Sequence, residues 1–379
     1  MKKPSKAELK AREVAVAGAG GPAPPQPDGY GFGALVGQGS VIEALRRALN
    51  DNRLPHALLF HGPVGVGKAT CAGILAQALN CSAGGFKDAC GTCVSCRKVS
   101  RGLHPDLIWM TPEGKGGQIK VERIRREIID KVGFRPYEGR RRVVIIDDAH
   151  RLNASSQNSL LKTLEEPPPS SLIVLVTPAP ESLLPTVRSR CQPLQFRSLA
   201  PEVLQRHLEE VHHIPGDEAR LRAVLVSGSV GRALDLDLDT HLGRRAVAEE
   251  SLWDAIQGGA ALLASAEILL EAGAGDRRVE QAASSLDSLR DILRDLLVLC
   301  SGGSRELLVN TDCCSDWQSW ASEMSADGIL EALDAVQRAT DRLHGPVTPN
   351  VRLVIEQALI ETGSALSAEA ARGREAVRG

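Results

Sequence analysis

The chain has 379 residues, of which 43% are hydrophobic and 24% charged, and its formal net charge is -2 at pH 7. At about 100–200 residues per domain, this length predicts two or three domains with the composition of a soluble globular protein. No run of about 18 apolar residues occurs, which argues against a membrane-spanning segment, and the near-neutral charge argues against an overall attraction to nucleic acid. The first residues contain no export signal, so we expect a cytoplasmic protein, in which nine cysteines favour metal binding over disulfides.

The first half of the sequence has the pattern of a parallel sheet. Residues 1–31 are rich in Pro, Gly and Ala and predict a disordered lead-in. From about Phe32, short apolar runs alternate with helical stretches, which is typical of an α/β fold with helices on both faces of a mostly parallel sheet. The runs that predict strands are Ala57–His61, Val143–Asp147, Leu172–Thr177 and Pro193–Phe196. The stretches that predict helices are Lys68–Leu79, Val121–Val132 and Gln157–Glu166.

The remainder of the chain predicts helices alone. The strand pattern stops after Ser198, and residues 199–244 predict a small helical domain. Residues 245–370 predict a larger helical domain, and residues 371–379 a polar tail. The sequence therefore predicts one α/β domain, residues 32–198, followed by two all-α domains.

A phosphate-binding loop follows the first predicted strand. The residues Gly62-Pro63-Val64-Gly65-Val66-Gly67-Lys68 have the form G-x-x-x-x-G-K. In this motif the glycines let backbone N–H groups turn towards phosphate oxygens, and the lysine reaches the β- and γ-phosphates. The next residue is normally Ser or Thr, whose hydroxyl binds Mg²⁺, but here it is Ala69, and Thr70 lies about 100° further around the helix. The sequence therefore predicts an ATP site, with magnesium, in which hydrolysis is weakened.

Two carboxylates end the second predicted strand, in the form of a Walker B motif. Asp147 occupies the position of the residue that directs Mg²⁺, and Asp148 that of the glutamate that polarises water in an active ATPase. Aspartate is shorter by about 1.5 Å, and a misplacement of that size can cost about a hundredfold in rate. The alternative, a strand end merely flanked by acids, stays open, above all for Asp148.

Four cysteines with the spacing Cys81-x8-Cys90-x2-Cys93-x2-Cys96 follow the predicted helix of the phosphate loop. Four thiolates in so short a segment can surround one ion tetrahedrally, which favours a structural zinc site over an iron–sulfur cluster, the alternative for four cysteines. The remaining cysteines are interpreted as small buried hydrophobes, and the role of the adjacent pair Cys313 and Cys314 stays open. They are Cys71, Cys191, Cys300, Cys313 and Cys314.

The charge distribution is uneven. Between Arg97 and Arg142 there are thirteen Lys or Arg residues against six Asp or Glu. This excess predicts either a surface that faces a polyanion or a solvated surface balanced by acidic neighbours, and the sequence does not decide between the two.

With Leu160-Leu161-Lys162-Thr163-Leu164-Glu165-Glu166-Pro167-Pro168 and Ser189-Arg190-Cys191, the order of these motifs resembles the bacterial DNA polymerase III clamp-loader subunits. The resemblance is specific over about Phe32 to Phe196. It implies an AAA+ domain over 32–198 with a zinc module inserted at 81–97, a helical lid over 199–244 and a helical collar over 245–370. It further implies a ring with gamma/tau ATPase and delta subunits that loads a sliding clamp on primer-template DNA.

The resemblance also implies roles for single residues. Arg190 is similar to an arginine finger that contacts the γ-phosphate of ATP in a neighbouring subunit. Thr177 lies at the position of a sensor of that phosphate, and Arg232 resembles a second sensor at a helix start in the lid. A surface ion pair, a strand end and a plain surface arginine are the respective alternatives.

The departures at Ala69 and Asp148 resemble the delta-prime branch of the family rather than gamma/tau. The segment Gly102–Leu107 and the absence of a long tau-like extension also favour delta-prime. The alternatives are an active gamma/tau-type ATPase and a zinc-binding AAA+ adaptor without a role in replication. A helicase or repair ATPase is disfavoured by the Ser-Arg-Cys motif.

Overall fold

The computed structural model describes residues 22–25, 29–83, 87–113, 117–226, 228–270, 276–343 and 350–376. The chain divides into two compact units, Met1–Leu234 and Asp235–Gly379. The predicted boundary at 244/245 lies inside a helix of the second unit, Leu238–Gln257. None of the described helices is both long and apolar enough to cross a membrane.

A five-stranded parallel sheet is the framework of the first unit. Its strand order is β2-β3-β4-β1-β5, and the register pairs Phe60 of β1 with Val176 of β4. The strands are β1 (Ala57–His61), β2 (Leu107–Met110), β3 (Arg142–Ile146), β4 (Ser171–Thr177) and β5 (Gln192–Gln195). Successive side chains of a strand point to opposite faces, and in β1 both faces are buried, with Leu58 in one core cluster and Leu59 in the other. This explains why the strand reads as a continuous apolar run.

Helices cover both faces of this sheet, as predicted. They are α1 (Gly39–Asn50), α2 (Lys68–Asn80), α3 (Val94–Ser100), α4 (Val121–Ile124), α5 (Asp130–Val132), α6 (Ala154–Glu165) and α7 (Pro185–Arg188). Three further helices follow the last strand: α8 (Pro201–His212), α9 (Gly216–Leu225) and α10 (Val230–Asp235). A π-helical turn, Arg125–Ile129, joins α4 to α5. Helix α2 is buried along nearly its whole length, so the phosphate loop leads directly into a helix that lies in the core.

The predicted elements differ from the structure in three places. Strand β2 was not predicted, because it is a four-residue edge strand with no clear alternation. Helix α6 begins at Ala154 rather than at Gln157, because the side chain of Asn153 accepts a hydrogen bond from the N–H of Ser156 and caps the helix earlier. The predicted helix Val121–Val132 is interrupted by the π-helical turn.

The second unit is helical in its described part, as predicted. Its helices are α11 (Leu238–Gln257), α12 (Ala260–Ile268), α13 (Asp276–Cys300), α14 (Cys314–Glu323), α15 (Ala326–Leu343) and α16 (Val351–Ala376). Its core contains Trp317, which is fully buried, and the inward face of α13, with Leu286, Leu289 and Leu293. Helix α16 continues to Ala376, and the rest of the predicted tail lies outside the described residues.

Most of the predicted lead-in, residues 1–21 and 26–28, also lies outside the described residues. Pro24, within it, is buried against helix α2: a Cβ atom added at Gly73 would lie 3.0 Å from the Cβ of Pro24.

Candidate nucleotide site and cysteine cluster

The phosphate loop connects β1 to α2 and has a backbone that requires glycine. Gly65 and Gly67 have φ angles of 78° and 93°, in the left-handed region that side chains disfavour. A Cβ atom at Gly65 would lie 2.0 Å from the Oγ of Ser229, and one at Gly62 would lie 2.1 Å from the carbonyl oxygen of Phe196. The conformation is therefore constrained by both backbone angle and neighbouring atoms.

Lys68, the first residue of α2, is buried at the base of this loop. Its Nζ atom donates hydrogen bonds to the carbonyl oxygens of Gly62, at 2.7 Å, and of Pro63. Burial lowers the pKa of Lys68 to about 8, although Asp147 and Asp148 oppose the shift by attraction. The ammonium group is thus held in the loop by neutral carbonyl oxygens. An anionic ligand would bind it more strongly than these carbonyls do.

The two carboxylates after β3 lie on the same cavity as Lys68. Burial, followed by the charge of Asp148, raises the pKa of Asp147 to about 6. Asp148 has a φ angle of 50°, and its N–H donates to Oδ1 of Asp147 at 3.0 Å. Because the backbone at Asp148 is left-handed, its side chain points in a different direction from that of an extended residue.

A cavity of about 390 Å³ joins the loop, the acids and the small helical segment after β5. Ala69 and Thr70 both line it, although helical geometry predicts different directions for their side chains. Gly231 of α10 closes one side, where its N–H donates to the carbonyl oxygen of Gly65 at 3.2 Å. His207 of α8 also lines the cavity. The contact itself was not predicted, although the resemblance implied that the neighbouring Arg232 lies near the nucleotide.

Two predicted sensor residues lie beside the cavity and are not part of its lining. Thr177 is fully buried at the end of β4, and its Oγ1 accepts a hydrogen bond from the N–H of Ala179. Arg232 is exposed, and its Cγ lies 3.4 Å from a Cβ built at Gly65. The cavity is lined instead by their neighbours Val176, Pro178 and Gly231.

Arg190 lies after α7 and also does not line the cavity. Its guanidinium donates to Oε1 of Glu165 at 2.7 Å and to the carbonyl oxygen of Thr186 at 2.9 Å. The side chain remains 34% exposed. The arginine is therefore oriented by contacts within its own chain and takes no part in the lining of its own nucleotide cavity.

The four clustered cysteines come together in space. The Sγ atoms of Cys81, Cys90, Cys93 and Cys96 all lie within 4.8 Å of one another, and those of Cys81 and Cys93 are 4.0 Å apart. Zinc with Zn–S bonds of about 2.3 Å separates tetrahedral sulfurs by about 3.8 Å, so the donor set fits one such ion.

The backbone around this cluster favours thiolates. The N–H of Cys93 donates to Sγ of Cys90, and that of Cys96 donates to Sγ of Cys93, each at 3.4 Å. Burial opposes ionisation of Cys93, but hydrogen bonds with Ser82 and from Cys96 lower its pKa to about 5. Burial raises the pKa of Cys96, whose ionisation a bound cation would favour.

Hydrogen bonds tie this module to the α/β core. Cys81 is the C-cap of α2, and Nε2 of Gln77 in that helix donates to the carbonyl oxygen of Cys96 at 3.2 Å. Asp88 accepts from the N–H of Phe32 at 2.9 Å and from Arg46 at 3.0 Å. The sequence did not predict a structural role for Asp88, because a single surface acid belongs to no recognisable motif.

The parallel sheet, the phosphate loop and the acid-ended strand define the P-loop fold of the AAA+ class. The family model described as "DNA polymerase III, delta subunit" matches residues 37–200. DNA polymerase III subunit gamma/tau of Mycobacterium tuberculosis is 30% identical over 370 residues, covering 90% of this chain and 62% of the relative. DNA polymerase III subunit delta' of Bacillus subtilis is 30% identical over 327 residues, covering 85% of this chain and 95% of the relative.

One solved structure, a DNA polymerase III gamma subunit-related protein of Thermotoga maritima, is 18% identical with a TM-score of 0.36, covering 86% of this chain and 99% of that one. The chain spans 32% to 62% of the length of the first gamma/tau relatives that it matches. Because the delta' alignment covers nearly the whole relative, the chain belongs to the family of bacterial DNA polymerase III gamma/tau and delta-prime clamp-loader subunits.

Proposed function

We propose that this chain is a delta-prime-type clamp-loader subunit, which works in the cytoplasm in a ring with gamma/tau ATPase and delta subunits. The ring would load the sliding clamp on primer-template DNA. The observation that carries the proposal is the combination of an altered nucleotide site with an arginine that does not line it. The cavity retains Lys68, whereas Ala69 lacks the metal-binding hydroxyl and Asp148 replaces the usual glutamate.

The residues of the chain have the following roles in this proposal. Lys68 and the amides of the loop from Gly62 to Gly67 would bind the phosphates of ATP, and Asp147 would hold its magnesium. Bound magnesium would neutralise phosphate charge. Because Ala69 lacks the hydroxyl that normally binds the ion, the site would bind magnesium weakly. Thr177 and Arg232 would respond to the nucleotide from positions beside the cavity. The four cysteines would bind one structural zinc ion.

Arg190 would act on the nucleotide of a neighbouring subunit. Its planar, permanently charged guanidinium suits the charge that develops on a transferring phosphoryl group. An arginine of this kind contributes roughly a thousandfold or more to the rate in well-studied GTPases. Because several sites share the work in a ring, we expect a smaller effect on the whole complex.

The test is reconstitution of the clamp loader with Arg190→Ala. The variant should fold and assemble, since Arg190 is partly exposed and belongs to no core cluster, but should lower DNA-stimulated ATP hydrolysis and clamp loading by the partner ATPase. Arg190→Lys should not rescue, because a point charge on a flexible stem does not reproduce the planar fork. Arg188→Ala, which removes an exposed arginine two positions away, is the matched control. Normal rates with Arg190→Ala would exclude the role of this arginine in a neighbouring site.

A gamma/tau-type ATPase is the second candidate, because a tau/gamma subunit of Haemophilus influenzae is 38% identical over 222 residues. The isolated chain distinguishes the two. Robust ATP turnover that disappears in Lys68→Ala would identify a gamma-type motor, whereas delta-prime predicts nucleotide binding with negligible turnover.

A further inference from the structure

The basic segment between Arg97 and Arg142 has no part in the proposed nucleotide chemistry. Four of its cations are paired with acids within the described structure: Lys98 with Glu138, Arg123 and Arg126 with Glu127, and Arg142 with Asp106. Others, among them Arg97, Arg101 and Arg135, are exposed. The structure therefore separates cations that stabilise the fold from cations that face solvent.

The loop of residues 133–141, between α5 and β3, is anchored from beneath by a buried ion pair. Asp106 is fully buried and accepts hydrogen bonds from the N–H groups of Tyr137, Glu138 and Gly139, at 2.6, 2.9 and 2.7 Å. The guanidinium of Arg142 donates to Asp106 at 3.1 Å and to the carbonyl oxygens of residues 131, 134 and 135. Hydrogen bonds to charged groups are stronger than neutral ones, so the loop backbone is held in one conformation.

This fixed backbone presents two aromatic rings to solvent. The side chain of Phe134 is 68% exposed and that of Tyr137 is 81% exposed. Rings on a rigid loop lose little conformational entropy on binding, which favours the recognition of a ligand. Exposed apolar rings that bind no ligand are unfavourable in water.

The exposed cations surround the same loop. Lys98 of α3 contacts Glu138 at 2.6 Å, which brings α3 and its exposed neighbours Arg97 and Arg101 against the loop. The N–H groups of Arg140 and Arg141 donate to Oδ1 of Asn80, at the end of α2. Residues 97–106 and 130–142 together contain eight Lys or Arg against three Asp or Glu, and of these three Asp106 is buried and Glu138 is paired with Lys98.

This surface is far from the nucleotide cavity. Arg142 begins β3, and Asp147, which lines the cavity, follows its end. At about 3.3 Å per residue, a strand of this length separates the two by roughly 16 Å. The loop thus lies at the amino-terminal edge of the sheet, and the cavity at its carboxyl-terminal edge.

We propose that the loop 133–141 and helix α3 form a binding surface for single-stranded DNA. The rings of Phe134 and Tyr137 stack on unpaired bases, and the surrounding arginines contact the phosphates. Single strands fit better than an acidic protein, because two outward rings among cations match the alternation of bases and phosphates. The inference goes beyond the proposed function, since it requires neither nucleotide nor a neighbouring subunit.

The test is the fluorescence anisotropy of a labelled oligothymidine titrated with the isolated full-length chain, at several salt concentrations. Tyr137→Ala should weaken binding by about five- to a hundredfold, the range of one lost stacking contact, whereas Tyr137→Phe should bind nearly as the original chain does. Arg135→Gln should reduce the slope of log affinity against log salt by about 0.7, the value for one phosphate contact on a single strand. A duplex of the same length should bind more weakly, because its bases are already stacked.

Two matched controls lie elsewhere on the surface. Trp253→Ala removes another aromatic side chain, 40% exposed, and Arg220→Gln another exposed cation. Both should leave binding unchanged. Unaltered affinity with Tyr137→Ala, or an equal loss in the controls, would overturn the proposal. The proposal would also be overturned by a variant that still binds the oligothymidine but no longer associates with another replication protein. That result would identify a protein-docking surface.

Discussion

At the scale of single residues, the ion pair between Glu165 and Arg190 determines how the proposed arginine finger is presented. We expect Glu165→Gln to lower clamp-loader ATPase activity by a few-fold, because loss of an exposed ion pair costs only about 0.2–1 kcal/mol and the contact with Thr186 remains. The Km for ATP should stay unchanged while kcat falls, since a positioning residue acts through Arg190 and not on the bound nucleotide.

The neighbouring carboxylate provides the control for this prediction. Glu166→Gln removes the same charge one position along, at another exposed side chain, and should have no effect on kcat. An increase in activity with Glu165→Gln would contradict the prediction. It would mean that Glu165 withholds Arg190 from the neighbouring site instead of orienting it.

At the scale of elements, helix α13 carries a half-buried carboxylate that opposes folding. Burial raises the pKa of Asp291 to about 6, with repulsion from Asp287 and Asp295 acting in the same direction. Because the folded pKa lies above the unfolded value of about 3.9, the folded state binds more protons between these values, and the charged form is disfavoured above pH of about 6. Asp291→Asn should therefore stabilise the protein at pH of about 7.5.

The expected gain is about 1 kcal/mol, reduced for solvent screening because the side chain is 33% exposed. It should shrink progressively as the pH is lowered towards about 4, as measured by urea unfolding at a series of pH values. Asp341→Asn, at an exposed carboxylate of α15 that is not among the charges acting on Asp291, is the control and should show no such gain. If Asp291→Asn changed the free energy of unfolding by the same amount at every pH, titration of Asp291 would be ruled out as the cause.

The elements also show which features a sequence can predict. Strand β1 and helix α2 were predicted because buried apolar runs and the phosphate loop are local patterns. The phosphate loop and the four cysteines are likewise local, and the structure brings each set together. The contact of Gly231 with Gly65 and the anchoring of the loop 133–141 by Asp106 depend on residues distant in sequence. Such contacts leave no periodicity, so only the folded chain reveals them.

At the scale of the whole molecule, the cysteine cluster connects several parts of the first unit. Cys81 is the C-cap of the phosphate-loop helix, Lys98, directly after the module, pairs with Glu138, and Asp88 accepts a hydrogen bond from the N–H of Phe32. The core of the second unit contains no described residue of this module. Loss of a bound metal should therefore weaken the first unit selectively.

Cys93→Ser tests this dependence. Metal analysis of the original chain should find about one zinc and no iron, and the variant should lose the zinc. Because folding of a metal module is coupled to metal binding, we expect a cost of several kcal/mol that is confined to the first unit. In hydrogen–deuterium exchange, α2, α3 and the loop 133–141 should lose protection while α13 to α15 keep theirs. Cys300→Ser, a cysteine substitution in the second unit, should leave both the zinc content and the exchange of the first unit unchanged. Equal protection of α2 in Cys93→Ser and in the original chain would show that the cluster contributes nothing to the stability of the nucleotide-binding unit.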